Sequence, residues 1–146
     1  MNQHQATENE YSKLVDIWAR SVRQTHDFLK DDDFKTIKSE LATYFPHLDV
    51  RVWTDDEKII GFSGVDGTKL EMLFLDPVYI GKGYGKQVVT SLVKENNIQF
   101  IDVNEQNYSA KAFYFAMGFE EYSRSEVDDA GRVYPILHFK KSTKEK

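Results

Sequence analysis

"PVYIGKGYGKQVV", residues 77–89, closes an extended apolar run, opens a helical one, and sets Gly81, Gly83 and Gly85 between them. Glycine gives up more freedom on folding than any other residue, so three in one turn need a reason. Between a strand and a helix that reason is chemical. With no side chains in the way, successive backbone N–H groups converge on one point, where the positive dipole end of the helix favours an anion. Residues Gly81, Lys82, Gly83, Tyr84, Gly85 and Lys86 together make a candidate cradle for a pyrophosphate, and the two lysines add charge. The spacing fits neither common nucleotide loop. A Walker A loop needs glycine at 80 and Ser or Thr at 87, where Ile80 and Gln87 stand. A dinucleotide fingerprint begun at Gly81 needs glycine at 86 and should open the fold. A turn shaped only for strand-to-helix geometry is the plainer alternative.

The chain around this turn has 146 residues, enough for one domain, read here as 1–146, with a sizeable core. Hydrophobic residues at 40% set disorder aside. The net charge of −5, with no long Lys/Arg cluster before the "KKSTKEK" tail, argues against nucleic acid as a partner. It suits a cationic one, although acidic solvated faces are common. With no cysteine, disulfides, thiolate metal sites and a cysteine nucleophile are excluded. The four histidines show no metal-site spacing, so no metal is expected. The N-terminus "MNQHQATENE" lacks a signal-like apolar core and no run is long enough to span a bilayer. The expectation is a soluble, cytoplasmic protein with no membrane partner.

Helices and strands alternate along the chain. Thr7 and Glu10 read as a capping box, with Ala6 and Tyr11 as its staple, before a stripe of Leu14, Trp18 and Val22. Asp31, Asp32 and Asp33 start a second helix with Phe34, Ile37, Leu41 and Tyr44 on its inner face, stopped by Pro46. "DVRVWT", "KIIGFSGV" and "KLEMLFLD" are strands joined by the turns "DDEK" and "DGT". A helix follows Gly85 and ends at Asn96 and Asn97. Next come a strand in "IQFIDV", a helix in "SAKAFYFAMG" with Gly118 at its end, and a hairpin of "FEEYSRSEV" and "RVYPILHF" around "DDAG". Residues 2–6 have little strand character, and whether they add a short first strand is left open. The order defines an α+β domain with a mixed sheet.

"NYSAKAFYFAMGF", residues 107–119, carries Asn107, Ala110, Phe113, Tyr114, Gly118 and Phe119. With "LFLDPVYIGKGYG" it resembles the GNAT superfamily of acyl-CoA-dependent N-acetyltransferases, whose patterns are Gln/Arg-x-x-Gly-x-Gly/Ala and, later, Asn-x-x-Ala-x-x-Phe-Tyr-x-x-x-Gly-Phe. The resemblance spans almost the whole chain. "VNEQN" and "RSEVDDAGRVYP" are similar to a branch of small bacterial members. Ile80 departs from the pattern at the Gln/Arg position. The resemblance implies an α/β/α layered fold with a mixed, mostly antiparallel central sheet flanked by helices, and acetyl-CoA as co-substrate.

It also implies an acetyl group passed directly, in a ternary complex, to a primary amine of a small molecule or peptide. Backbone N–H groups of about Phe74 and Leu75 would face the acetyl carbonyl, and Asn107 would lie near the cofactor. Tyr114 occupies the place of a general acid for the departing thiolate, and packing against CoA or the core is its alternative role. Glu71, which strict alternation puts on the face of Leu73 and Leu75, is the candidate base; an exposed residue that attracts the cation is the alternative. A carboxylate serves as base toward an ammonium only if burial raises its pKa. His26 and Asp27, between the first two helices, and Asn104, beside the cofactor path, are candidates for holding the acceptor. His26 is a second candidate base, and Asp102 beside Asn104 is placed to face the cleft. A catalytically silent CoA-binding module and transfer of a longer acyl group are the competing functions, and pairing of two copies into a homodimer through edge strands is left open.

Overall fold

The computed structural model describes residues 1–142, so the end of the basic tail, from Thr143, lies outside the described residues. In chain order these form β1 (Asn2–Gln5), α1 (Tyr11–Thr25), α2 (Asp31–Tyr44), β2 (Asp49–Asp55), β3 (Lys58–Asp66), β4 (Lys69–Leu75), α3 (Tyr84–Asn96), β5 (Phe100–Asn104), α4 (Tyr108–Ala116), β6 (Phe119–Ser125) and β7 (Ile136–Lys141). The seven strands make one sheet in the order β1-β2-β3-β4-β5-β7-β6. Every neighbouring pair is antiparallel except β4 and β5.

Local chemistry accounts for most boundaries. Asp56 and Glu57, both at positive φ (53° and 66°), make the two-residue turn between β2 and β3. The Thr7 N–H donates to the Glu10 carboxylate at 3.0 Å, so the capping box precedes α1 as the sequence suggests. Asn97, at φ 54°, ends α3, and Gly118, at φ 96°, ends α4.

The helices cover the sheet in two layers. One cluster joins Leu14, Ile17, Trp18 and Val22 of α1 and Phe34 of α2 to β2 and β3 through Val52 and Phe62. The other packs Val88, Val89 and Leu92 of α3 and Tyr114 of α4 on Ile101, Val103 and Leu137. Burying that many apolar side chains, each contributing about 1.5–3 kcal/mol, is what holds the layers together.

One point the sequence leaves open is settled by the fold, and two features depart from the sequence reading. Residues 2–5 do form a strand, β1, because β2 offers it a complete partner from Asn2↔Thr54 to Gln5↔Arg51. Residues 132–135 are not strand, and β7 begins only after Pro135. The loop from 126 to 135 reaches back to the N-terminal helices instead: the Tyr134 hydroxyl donates to Asp33 and accepts from the Lys30 N–H at 3.1 Å. The second departure is in β4. Gly64 pairs with Met72 and Val65 with Leu70, so Glu71 is an extra residue, a β-bulge. The bulge shifts the alternation by one. Met72 and Phe74 join the cluster under α1 and α2, and Leu70 and Leu73 join the other. Glu71 therefore does not share a face with Leu73 and Leu75.

Gly61 on β3 is irreplaceable for a steric reason. A Cβ built there falls 2.4 Å from the carbonyl oxygen of Phe74, which is backbone and cannot swing away. Gly61→Ala is expected to destabilise the fold by about 1–3 kcal/mol. That lowers Tm by roughly 3–10 °C, and an unchanged melting curve would contradict the packing of β3 on β4.

Candidate active site

β4 and β5 pair through only two registered positions, Lys69↔Phe100 and Leu70↔Ile101. Beyond them the two strands part, and a cleft of about 560 Å³ opens between them. Both strands line it, together with the end of α1, the glycine turn and one face of α4. Of the residues singled out in the sequence, His26, Glu71, Phe74, Leu75, Gly81, Gly83, Gly85, Lys86, Asn104, Asn107 and Tyr114 all line this cleft, as does Asp102. Lys82 and Asp27 are exposed outside it. Tyr84 sends its side chain elsewhere, the hydroxyl donating to Asp55 and the ring set edge-on to Tyr79. Only its backbone belongs to the turn.

Gly81 and Gly83 have φ of 83° and 87°, in the left-handed region open to glycine, and no atom lies within 4 Å of a Cβ built on either. Gly85 is helical, and its Cβ would point at Phe113, 3.4 Å away. From Gly81 to Lys86 no backbone N–H has a protein acceptor among the described residues, and the first helical bond of α3 is Gln87 N–H to the Gly83 carbonyl. α4 shows the contrast: its N-cap, Asn107, accepts from the Ala110 N–H at 3.3 Å. At α3 the N-cap is Gly83, which has no side chain to do this. The turn is tied down from behind. Arg20 of α1 donates to Asp76 at 2.7 Å, and the same oxygen accepts from the Val78 N–H. A bare, fixed row of amides with a lysine beside it fits a diphosphate. Ile80 lines the cleft with an apolar side chain.

The register of β4 refines the backbone donors. The Asp76 N–H bonds the Ile60 carbonyl, and Phe74 pairs with Phe62. Antiparallel pairing alternates the direction of N–H groups, so Phe74 turns its N–H into β3 and Leu75 turns its own toward the gap. Leu75, not Phe74, is the free donor of the two.

Tyr114 is 8% exposed, and burial pushes its phenol well above the usual value, so it stays protonated. Its hydroxyl has no hydrogen-bond partner among the described residues, yet no fully buried side-chain oxygen is orphaned, so the hydroxyl reaches the cleft. Glu71 is half-buried, and burial pushes its carboxyl up. Lys69 opposes the rise, while Asp102 and Asp129 add to it. His26 ends α1 with Nδ1 2.8 Å from the Thr25 hydroxyl oxygen, and that hydroxyl donates to the Ser21 carbonyl at 2.9 Å. The hydroxyl's one proton is committed to Ser21, so Nδ1–H donates to Thr25 and Nε2 keeps its lone pair. Burial lowers the imidazole pKa against the pull of Asp27, which leaves the ring neutral near neutral pH.

The sequence reading did not single out Thr25, Lys69, His138 or Ser125. Thr25 had no signal beyond its place before His26, and the other three lie on strands whose register no local pattern reports.

The splayed parallel pair, the uncapped helix and the glycine turn are a GNAT arrangement, and the sequence profile of the Acetyltransferase (GNAT) domain matches residues 24–136. The chain belongs to the GNAT family of acetyl-CoA-dependent N-acetyltransferases. It is 37% identical over 139 residues to the peptidyl-lysine N-acetyltransferase YjaB of Salmonella typhimurium, covering 94% of this chain and 96% of that one. The YjaB of Escherichia coli is 35% identical over 130 residues, 88% of each chain. The apo-form solution structure of that protein superimposes with a TM-score of 0.88 over 95% of both chains, at 33% identity. The PaiA N-acetyltransferase of Thermoplasma acidophilum, solved in complex with coenzyme A, shares the fold at 19% identity, with a TM-score of 0.68 over 95% of this chain and 98% of that one. Family membership sides with acetyl transfer and not with a silent CoA-binding module. Among the described residues no helix is long and apolar enough to cross a membrane.

Proposed function

We propose that this enzyme acetylates the ε-amine of lysine side chains in proteins or peptides, by direct transfer within a ternary complex. The observation that carries the transfer chemistry is the row of six unpaired amides from Gly81 to Lys86 at the end of a cleft that also holds Glu71 and Tyr114. The acceptor is supported by the two YjaB relatives, named peptidyl-lysine N-acetyltransferases, at 35% and 37% identity. The cleft suits a lysine: Met72 and Phe74 offer apolar surface for its stem, and Glu71 offers negative charge for its head.

Acetyl-CoA supplies a thioester carbonyl and a thiolate leaving group. The residues that would hold it are the amides of 81–86 and Lys86 for its phosphates, with Asn107 and the apolar side chains of Phe113 and Ala110 beside them. The Leu75 N–H is free to polarise a carbonyl at the mouth of the gap. Glu71 takes a proton from the acceptor ammonium at a carboxylate oxygen, which burial has made more basic than usual. His26, through the Nε2 lone pair, accepts a hydrogen bond from the same amine and orients it. Tyr114 Oη holds a proton to hand to the departing sulfur. With no cysteine in the chain, an acyl-thiol enzyme is not available.

The test is acetylation of a peptide with one internal lysine and a blocked N-terminus, read by mass spectrometry and thiol release. One acetyl group on the lysine, and none on the arginine-substituted peptide, is the expected result. Preferential acetylation of free polyamines or of an unblocked α-amine would overturn the acceptor.

A further inference from the structure

Glu71 does not stand alone. Lys69, two residues before it on β4, places Nζ 3.5 Å from a Glu71 oxygen and 2.7 Å from Asp102 Oδ2 on β5. The shorter contact is a strong charge-assisted hydrogen bond, and the longer one is a weaker ion pair. Lys69 is thus committed to Asp102 and only leans toward Glu71. Asp102 is itself fixed on its other oxygen, where Oδ1 lies 2.7 Å from His138 Nδ1 on β7. His138 Nε2 is 2.7 Å from the Ser125 hydroxyl on β6. A continuous polar line runs from Ser125 through His138 and Asp102 to Lys69, and reaches Glu71 only by the longer, weaker contact.

The consequence is chemical. A carboxylate in a full ion pair with lysine is a weak base, because an adjacent cation favours its charged form. We propose that Asp102 is a positioning residue for acetyl transfer: held by His138 and Ser125, it draws Lys69 away from Glu71 and so leaves a Glu71 oxygen free to take the acceptor's proton. The inference rests on Glu71 being the proton acceptor. The step it serves moves one proton from the ammonium nitrogen to a Glu71 oxygen and leaves the nitrogen lone pair free for the acetyl carbon. The charged groups acting on Glu71 are Lys69 from its own strand, Asp102 from β5 and Asp129 from the loop between β6 and β7. His26 from the end of α1 and Lys86 from α3 line the same cleft.

The sign of the effect follows. Asp102→Asn removes a negative neighbour and releases Lys69 onto Glu71, and both changes lower the Glu71 pKa. The acid limb of the kcat/KM–pH profile is expected to move down by roughly one pH unit, and the plateau to fall about tenfold. In Lys69→Met/Asp102→Asn there is no lysine to release, so activity recovers toward wild type and the limb moves back up. A double variant as slow as Asp102→Asn alone would overturn the proposal. Should Asp102→Asn not fold, Lys69→Met carries the test: the limb moves to higher pH, and an unmoved limb overturns it. Glu71→Gln separates the premise from the inference. It should abolish the acid limb along with most activity; if the limb survives, Glu71 is not the base. A lost limb with no response to Asp102→Asn would leave the base standing and sink the positioning role.

Discussion

Gly83→Val folds but is no longer stabilised by acetyl-CoA. At φ 87° a β-branched side chain is strained, at a cost of about 1–3 kcal/mol, so the variant melts several degrees below wild type. Its Cβ also enters open space at a position that lines the cleft, with nothing else within 4 Å. For the wild-type protein, acetyl-CoA at a hundred times its Kd contributes about 2.7 kcal/mol. That is a rise of roughly 5–10 °C in Tm. In the variant this rise should vanish. Gly67 supplies the control: it also has positive φ, 62°, with free space around it, but lies in the turn between β3 and β4 and does not line the cleft. Gly67→Val should lose comparable stability and keep the full ligand-induced rise. Equal rises in both variants would mean that the glycine turn serves only chain geometry.

Tyr114→Phe should lower kcat by about 10²-fold and leave the acetyl-CoA-induced rise in Tm intact. The hydroxyl has no protein partner, so deleting it orphans no donor or acceptor and should cost little stability. The ring keeps its contacts with Phe113 and Phe119, 5.0 and 6.5 Å away between centroids. Because burial holds the phenol above its ordinary value, ionisation of Tyr114 lies above the working range and should not limit the pH profile on the alkaline side. Full turnover in the variant would return Tyr114 to a packing role.

What the sequence discloses about this protein follows from which constraints are local. Gly81, Gly83 and Gly118 are legible because the left-handed backbone at a helix boundary strongly favours glycine. The second and third strands are legible because the polar turns "DDEK" and "DGT" bound short runs rich in β-branched and aromatic residues. β1 was not, since "NQHQ" is polar throughout and becomes a strand only because β2 leaves an edge to pair with. The orientation of Glu71 was misread for a related reason. A bulge inserts one residue, reverses the parity of everything beyond it, and shows only in the pairing with Gly64 and Val65. Tyr134 reads as part of an apolar run, yet its hydroxyl is spent 101 positions away on Asp33. The link from Lys69 to Asp102 and His138 depends on which strands become neighbours, a property of the assembled sheet. The motifs located the cleft, but its electrostatics are set by partners distant in the chain.

The short seam between β4 and β5 has a mechanical consequence. A seven-stranded sheet with only two registered pairs across its middle relies on other contacts to set the width of the gap: the core under α3 and α4 spans both sides, from Ile60 and Leu70 to Val103 and Leu137. The bonds of Tyr134 to Asp33 and Lys30 add a second tie, from the loop between β6 and β7 to the start of α2. Tyr134→Phe would weaken that tie and leave the Arg132–Asp33 pair and the shared core to hold the gap.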